Sequence, residues 1–116
     1  MGRLSTHVLD TSRGRPGAGM RFALYRLDGE TRVKVAEGET DADGRADKPL
    51  LEGDSYKPGR YQLVYQVAAY FRGLGVQLPD PPFLDEVTLS FGLGQDGHYH
   101  VPLLVSPFGY TTYRGS

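Results

Sequence analysis

The chain has 116 residues, a formal net charge of −1, 16 glycines, 8 prolines and no cysteine. This length supports one domain with a modest core, and the charge balance excludes a protein built mainly to coat nucleic acid or an anionic membrane. Without cysteine there is no disulfide framework, thiolate zinc site or cysteine nucleophile, so a core this small is expected to gain stability from oligomerisation.

The N-terminus, "MGRLSTHVLDTSRG", lacks the apolar stretch of a signal peptide, and no segment reaches transmembrane length. A soluble, cytoplasmic protein is expected. "MGRLST" fits the loose myristoylation pattern, but the pattern is short and the chain turns at once into an alternating run, so no lipid is assigned.

A period of two dominates the hydrophobic pattern. "LSTHVLD" (4–10) predicts a first strand, "TSRGRPGAG" (11–19) a turn-rich connector and "MRFALYRL" (20–27) a second strand. "DGET" then bends the chain into "RVKVAEGET" (32–40), a third strand. "DADGRADKP" (41–49) is a loop with Asp-Gly at its centre, and "GRYQLVYQV" (59–67) sets Tyr61, Leu63, Tyr65 and Val67 on one face. "AAYFRGLG" (68–75) breaks the alternation and predicts about two turns of helix ended by glycines, before "LPDPPF" imposes an extended loop. Strands resume over "LDEVTLSF" (84–91), "HYHVPLLV" (98–105) and "YTTYRG" (110–115). No repeat, low-complexity block or linker divides the chain, so residues 1–116 are read as one domain. Seven or eight short strands separated by turns predict an all-β sandwich, each strand with one face in the core and one outward.

Alternation assigns the histidines. Over 98–105, Tyr99, Val101 and Leu103 share one face, while His98, His100 and Pro102 share the other. His7 falls with Ser5 and Leu9, opposite Val8. If the first and this later strand lie in one sheet, their polar faces form a single surface. Three readings of that surface stay open: ordinary exposed histidines, general acid–base chemistry by a side chain that titrates near neutral pH, or a three-histidine zinc site with a position open to water.

Elsewhere the residues alone are less telling. Arg45 in "DADGR" reads as a solvated turn residue, and "YTTYRGS" as a polar tail. "GLGQDG" (92–97) has no helix after it and reads as a turn. No nucleophile elbow, phosphate loop or dinucleotide fingerprint is present, and dispersed Arg and Lys indicate no nucleic-acid module.

Five stretches together, "LSTHVLDTSRGRPG", "TDADGR", "GRYQLVY", "LPDPPFLDEV" and "HYHVPLLVSPFGYTTYRGS", resemble the 5-hydroxyisourate hydrolase branch of the transthyretin-like family. The resemblance runs from about residue 4 to 116. Its most specific element is the terminal "YRGS", which hormone-carrying transthyretins lack. Thr111 departs from the serine many members carry there, but keeps the hydroxyl.

The resemblance implies an eight-stranded β-sandwich with one short helix, assembled as a homotetramer that is a dimer of dimers, with active sites in a channel between dimers. It implies hydrolysis of 5-hydroxyisourate to 2-oxo-4-hydroxy-4-carboxy-5-ureidoimidazoline in urate degradation, with no cofactor or metal and no nucleic-acid or membrane partner. Carried onto this sequence, the catalytic residues would be His7, Arg45, His100 and Ser116. Substrate binding would involve His7, Arg45, Tyr113 and Arg114, with His98 peripheral. A histidine pair can supply base and acid, and an arginine a fixed cation and a planar donor fork for urea-like oxygens. Two other classes compete: a non-catalytic carrier using the same channel for a small ligand, and a three-histidine zinc hydrolase. The carrier would have no reason to assemble His7, Arg45, His100 and "YRGS", and metal analysis discriminates the second.

Overall fold

The computed structural model describes residues 2–115. The elements follow in chain order as β1 (Arg3–Asp10), β2 (Arg15–Pro16), β3 (Arg21–Asp28), β4 (Thr31–Glu39) and β5 (Leu51–Glu52). A 3₁₀ turn (Gly53–Ser55) leads to β6 (Gly59–Gln66), the short helix α1 (Val67–Gly73), β7 (Glu86–Leu93), β8 (His98–Ser106) and β9 (Gly109–Thr112). All seven strands and the helix expected from periodicity are present. β2 and β5, two residues each, were not foreseen. No helix among the described residues is long and apolar enough to cross a membrane.

The strands form two sheets that pack as a sandwich. One runs β4-β3-β6-β7, and the other runs β2-β1-β8-β9 with β5 also paired to β1. β1 and β8 lie side by side and parallel, from Arg3 opposite His98 to Asp10 opposite Val105. The outer edge of β1 is covered in three pieces: β5 pairs with Arg3 and Leu4, residue 45 bridges to His7, and β2 pairs with Leu9 and Asp10. This cover satisfies backbone groups that an open strand edge would leave exposed.

Alternation fills the interior. Leu4, Thr6 and Val8 of β1 and Val101, Leu103 and Val105 of β8 are buried against Phe22, Leu24, Leu63, Tyr65, Val87 and Leu89 of the other sheet. One polar bridge crosses this core. Thr6 donates its hydroxyl to the Val101 carbonyl at 2.8 Å, and its oxygen meets the Tyr65 hydroxyl at 2.6 Å. Burial pushes the Tyr65 phenol far up, despite the hydrogen bond to Thr6.

At the end of β1, Asp10 ties the sheet to α1. Its carboxylate accepts hydrogen bonds from the Ser12 amide and hydroxyl, the Arg13 amide and Nε, and the Tyr70 hydroxyl. Burial alone would raise this carboxyl, but the bonds from Ser12, Tyr70 and Arg13 outweigh it and hold Asp10 below the ordinary carboxylate value.

One expectation fails at β4. It was expected to bury one face, yet along it only Ala36 is even half-buried, and Val33 and Val35 are exposed. The reason is topological: β4 is the edge strand of its sheet, pairs among the described residues with β3 alone, and its register slips at a bulge between Leu24 and Tyr25.

Candidate active site

The parallel register of β1 and β8 builds the site. Ser5 lies opposite His100 and His7 opposite Pro102, so the two histidines are diagonal neighbours on the outward face. Their ring centroids are 6.0 Å apart and the planes tilt by 33°. The Ser5 hydroxyl contacts Nδ1 of His100 at 2.8 Å. The single outward surface foreseen if both strands shared a sheet therefore exists, with the strands adjacent.

Arg45 reaches this surface through the backbone of its loop. The Asp41 carboxylate accepts the amides of Asp43 at 2.9 Å and Arg45 at 3.0 Å, while the Gly44 amide donates to the Asp41 carbonyl at 2.9 Å. This is the Asx-type turn that "DADG" can form. The loop then docks on β1: the Val8 amide donates to the Gly44 carbonyl at 2.7 Å, and His7 and Arg45 form an antiparallel bridge. Gly44 has φ +77°, and a Cβ there would lie 2.3 Å from the Val8 carbonyl oxygen. Only glycine allows so close a docking.

The C-terminal segment approaches from the other side. The Gly115 amide donates to the His100 carbonyl at 2.7 Å, forming a bridge between the two residues. Arg114 lays its guanidinium over the Tyr99 ring, 4.1 Å from the centroid, a cation–π contact. The Tyr99 hydroxyl in turn accepts the Gly94 amide at 3.0 Å. Tyr113 is exposed and, with Arg114, lines a separate groove along the sandwich edge between β7 and β9. Ser116 lies outside the described residues.

The structure thus gathers His7, His100 and Arg45, and brings the tail as far as Gly115 against His100. It places Tyr113 and Arg114 toward the neighbouring edge. His98 is exposed at the near end of β8, opposite Arg3. A groove of about 320 Å³ is lined by Arg3, Ser5, Arg45, His98, Tyr99 and His100. Among the described residues, no three His, Cys, Asp or Glu side chains gather in a way that could hold a metal ion.

The electrostatics favour neutral imidazoles. Burial, then the Arg45 guanidinium, lower the His7 pKa from its ordinary value of 6.5, against the opposing pull of the Asp41 and Asp43 carboxylates. Burial, then His7 and Arg45, lower that of His100. Both rings are therefore uncharged near neutral pH and free to accept protons. Sequence reading placed Ser5 on this face without giving it a role. It also missed Asp41, although an aspartate two residues before Asp-Gly is a legible turn signal.

Residues 4–115 match the HIUase/Transthyretin family. The chain belongs to that family. Among its relatives, a 5-hydroxyisourate hydrolase of Pseudomonas aeruginosa is 54% identical over 117 residues, covering 100% of this chain and 93% of the relative. The structure of Klebsiella pneumoniae 5-hydroxyisourate hydrolase superposes with a TM-score of 0.82 at 35% identity, covering 100% of both chains. Sea bream transthyretin, solved in complex with thyroxine, matches with a TM-score of 0.87 at 27% identity over 97% of this chain and 94% of that one. The transthyretin-like sandwich is thus shared by members whose names describe different work, and the discrimination falls to the outward face of β1 and β8.

Proposed function

We propose that this member of the family hydrolyses 5-hydroxyisourate to 2-oxo-4-hydroxy-4-carboxy-5-ureidoimidazoline, a step of urate degradation. The observation that carries the reading is the convergence of His7, His100 and Arg45 on one outward face, with both histidines held neutral. Kinship with a 5-hydroxyisourate hydrolase at 54% identity supports the substrate.

In the reaction, water attacks a ring carbonyl, the carbon–nitrogen bond of the cyclic amide breaks, and the departing nitrogen takes a proton. His7 accepts the water's proton, and His100 orients the water or relays that proton through Nε2 to the leaving nitrogen. Positioned acid–base groups of this kind each contribute about 10²–10⁴-fold. Arg45 binds the ring oxygens through its donor fork and stabilises the charge that develops on the tetrahedral oxygen. Ser116, through its hydroxyl or terminal carboxylate, orients substrate and a histidine, with Tyr113 and Arg114 in the segment that leads to it.

The assembly is a homotetramer, a dimer of dimers. Among the described residues β7 and β9 each pair on one side only. Phe83, Phe108 and Tyr110 are exposed, with the Phe83 and Phe108 rings 6.4 Å apart. Free strand edges beside exposed aromatics suit a second copy. Sedimentation velocity at the mass of four chains supports this, and a monomer over all concentrations refutes it.

The activity test follows freshly generated 5-hydroxyisourate by its ultraviolet absorbance. Decay much faster than in buffer, abolished in His100→Ala and reduced in a chain shortened by Ser116, is expected. Decay no faster than buffer overturns the hydrolase reading in favour of a small-ligand carrier.

A further inference from the structure

We propose that Ser5 is a positioning residue for His100: its hydroxyl accepts the Nδ1–H, fixes the ring, and leaves Nε2 unprotonated for the water or substrate in the groove. The inference rests on the hydrolase reading for its kinetic consequence, but not for its structural content.

The geometry begins with register. Ser5 and His100 are directly opposed on the outward face of the parallel pair, where side chains of neighbouring strands run alongside each other. The 2.8 Å contact engages Nδ1, so Nε2 is the ring nitrogen left for chemistry. Both residues are half-buried and both line the groove that Arg45 closes from its loop.

Tautomer follows from what the other nitrogen meets. In a neutral imidazole one nitrogen donates and the other accepts, and the partner of one decides the state of the other. An isolated histidine side chain favours the proton on Nε2, which would make that atom a donor. Beside the Arg45 guanidinium a lone pair on the ring is favoured over another positive hydrogen. With Ser5 accepting Nδ1–H, Nε2 presents that lone pair. The same bond survives if Nε2 takes up a proton, because the imidazolium also carries Nδ1–H. Ser5 therefore supports His100 before and after proton transfer without moving.

The test reads the tautomer directly and the rate separately. Imidazole ¹⁵N spectra of His100 in the full-length protein near neutral pH are expected to show a protonated Nδ1 and a bare Nε2. In Ser5→Ala the proton moves toward Nε2, and Ser5→Thr, which keeps the hydroxyl on a β-branched strand residue, restores the wild-type pattern. In the decay assay kcat falls about 10- to 100-fold in Ser5→Ala with KM little changed, below the full share of a positioned acid–base group, and recovers in Ser5→Thr. A wild-type spectrum with the proton on Nε2 overturns the inference, as does a Ser5→Ala protein with unchanged spectrum and kcat. If the wild type fails to accelerate decay, the hydrolase reading falls, and the nitrogen spectrum alone still decides the role of Ser5.

Discussion

Replacing Gly44 by alanine tests how the loop delivers Arg45 to His7. The residue sits at φ +77° and its added Cβ would meet the Val8 carbonyl oxygen at 2.3 Å. The left-handed conformation alone costs an alanine roughly 1–2 kcal/mol. Restoring an ordinary contact requires the loop and β1 to separate by about 1 Å. That movement strains the bond from the Val8 amide to the Gly44 carbonyl, 2.7 Å, and that from the Gly44 amide to the Asp41 carbonyl, 2.9 Å. At about 1 kcal/mol each, the total loss is about 3–4 kcal/mol, or roughly 10 °C or more in Tm. Since the bridge that moves joins His7 to Arg45, a displacement of about 1 Å also predicts a rate loss on the order of 10²-fold.

Gly29 supplies the control. It has φ +66° with nothing within 4 Å of a built Cβ, in the turn between β3 and β4. Gly29→Ala carries the backbone strain without the collision and is expected to lose about 1–2 kcal/mol and no activity. Thermal denaturation and the 5-hydroxyisourate decay assay separate the two variants. A Gly44→Ala protein that melts with Gly29→Ala and turns over like wild type refutes the docking argument.

Other outcomes follow from the same contacts and charges. Because both histidines lie below their ordinary 6.5, the rate is expected to be level above that pH and to fall only below it; an acid limb centred at or above 6.5 contradicts neutral rings. Asp10→Ala removes the hydrogen bonds that join β1 to Tyr70 and Arg13 and should lower stability by about 3 kcal/mol. Its folded pKa is depressed below 3.8, so that contribution is complete above 3.8 and is lost as pH falls through the folded value. The Tm gap between wild type and Asp10→Ala, followed from pH 7 downward, should hold to about pH 4 and then narrow as the charged part of those bonds is lost. Thr6→Val strands the buried Tyr65 hydroxyl at about 1–3 kcal/mol, and adding Tyr65→Phe should recover much of it in a double-mutant cycle.

The sequence was most legible where burial is one-sided. Period-two alternation located the strands and turned His7 and His100 outward, because Leu4, Thr6, Val8 and Val101, Leu103, Val105 had to face the core. It misjudged β4, whose pattern resembles its neighbours' although an edge strand has little to pack against. Arg45 in its local sequence is only a turn residue; its place beside His7 depends on contacts between Gly44 and Val8, 36 positions apart. The family resemblance named Arg45, but the means of delivery through Asp41 and Gly44 is a tertiary fact. β2 and β5 escaped for the same reason, since two-residue strands exist only through the β1 edge that they cover.

The parallel pairing of β1 with β8 makes core and chemistry a single constraint. Sliding β8 by one residue would turn its buried set to the outward face, and sliding it by two would part Ser5 from His100. What opposes both movements lies on the inward side, where Thr6 donates to Val101, its register partner, and contacts Tyr65 from the opposing sheet. The neighbouring pair in that ladder, one position back and on the other face, is Ser5 with His100. The buried hydroxyl thus sets the alignment that the outward hydroxyl uses. A histidine beside a core run is then no anomaly: the packing of Val101 and Leu103 holds His100 in register with Ser5, and that register aims its free nitrogen.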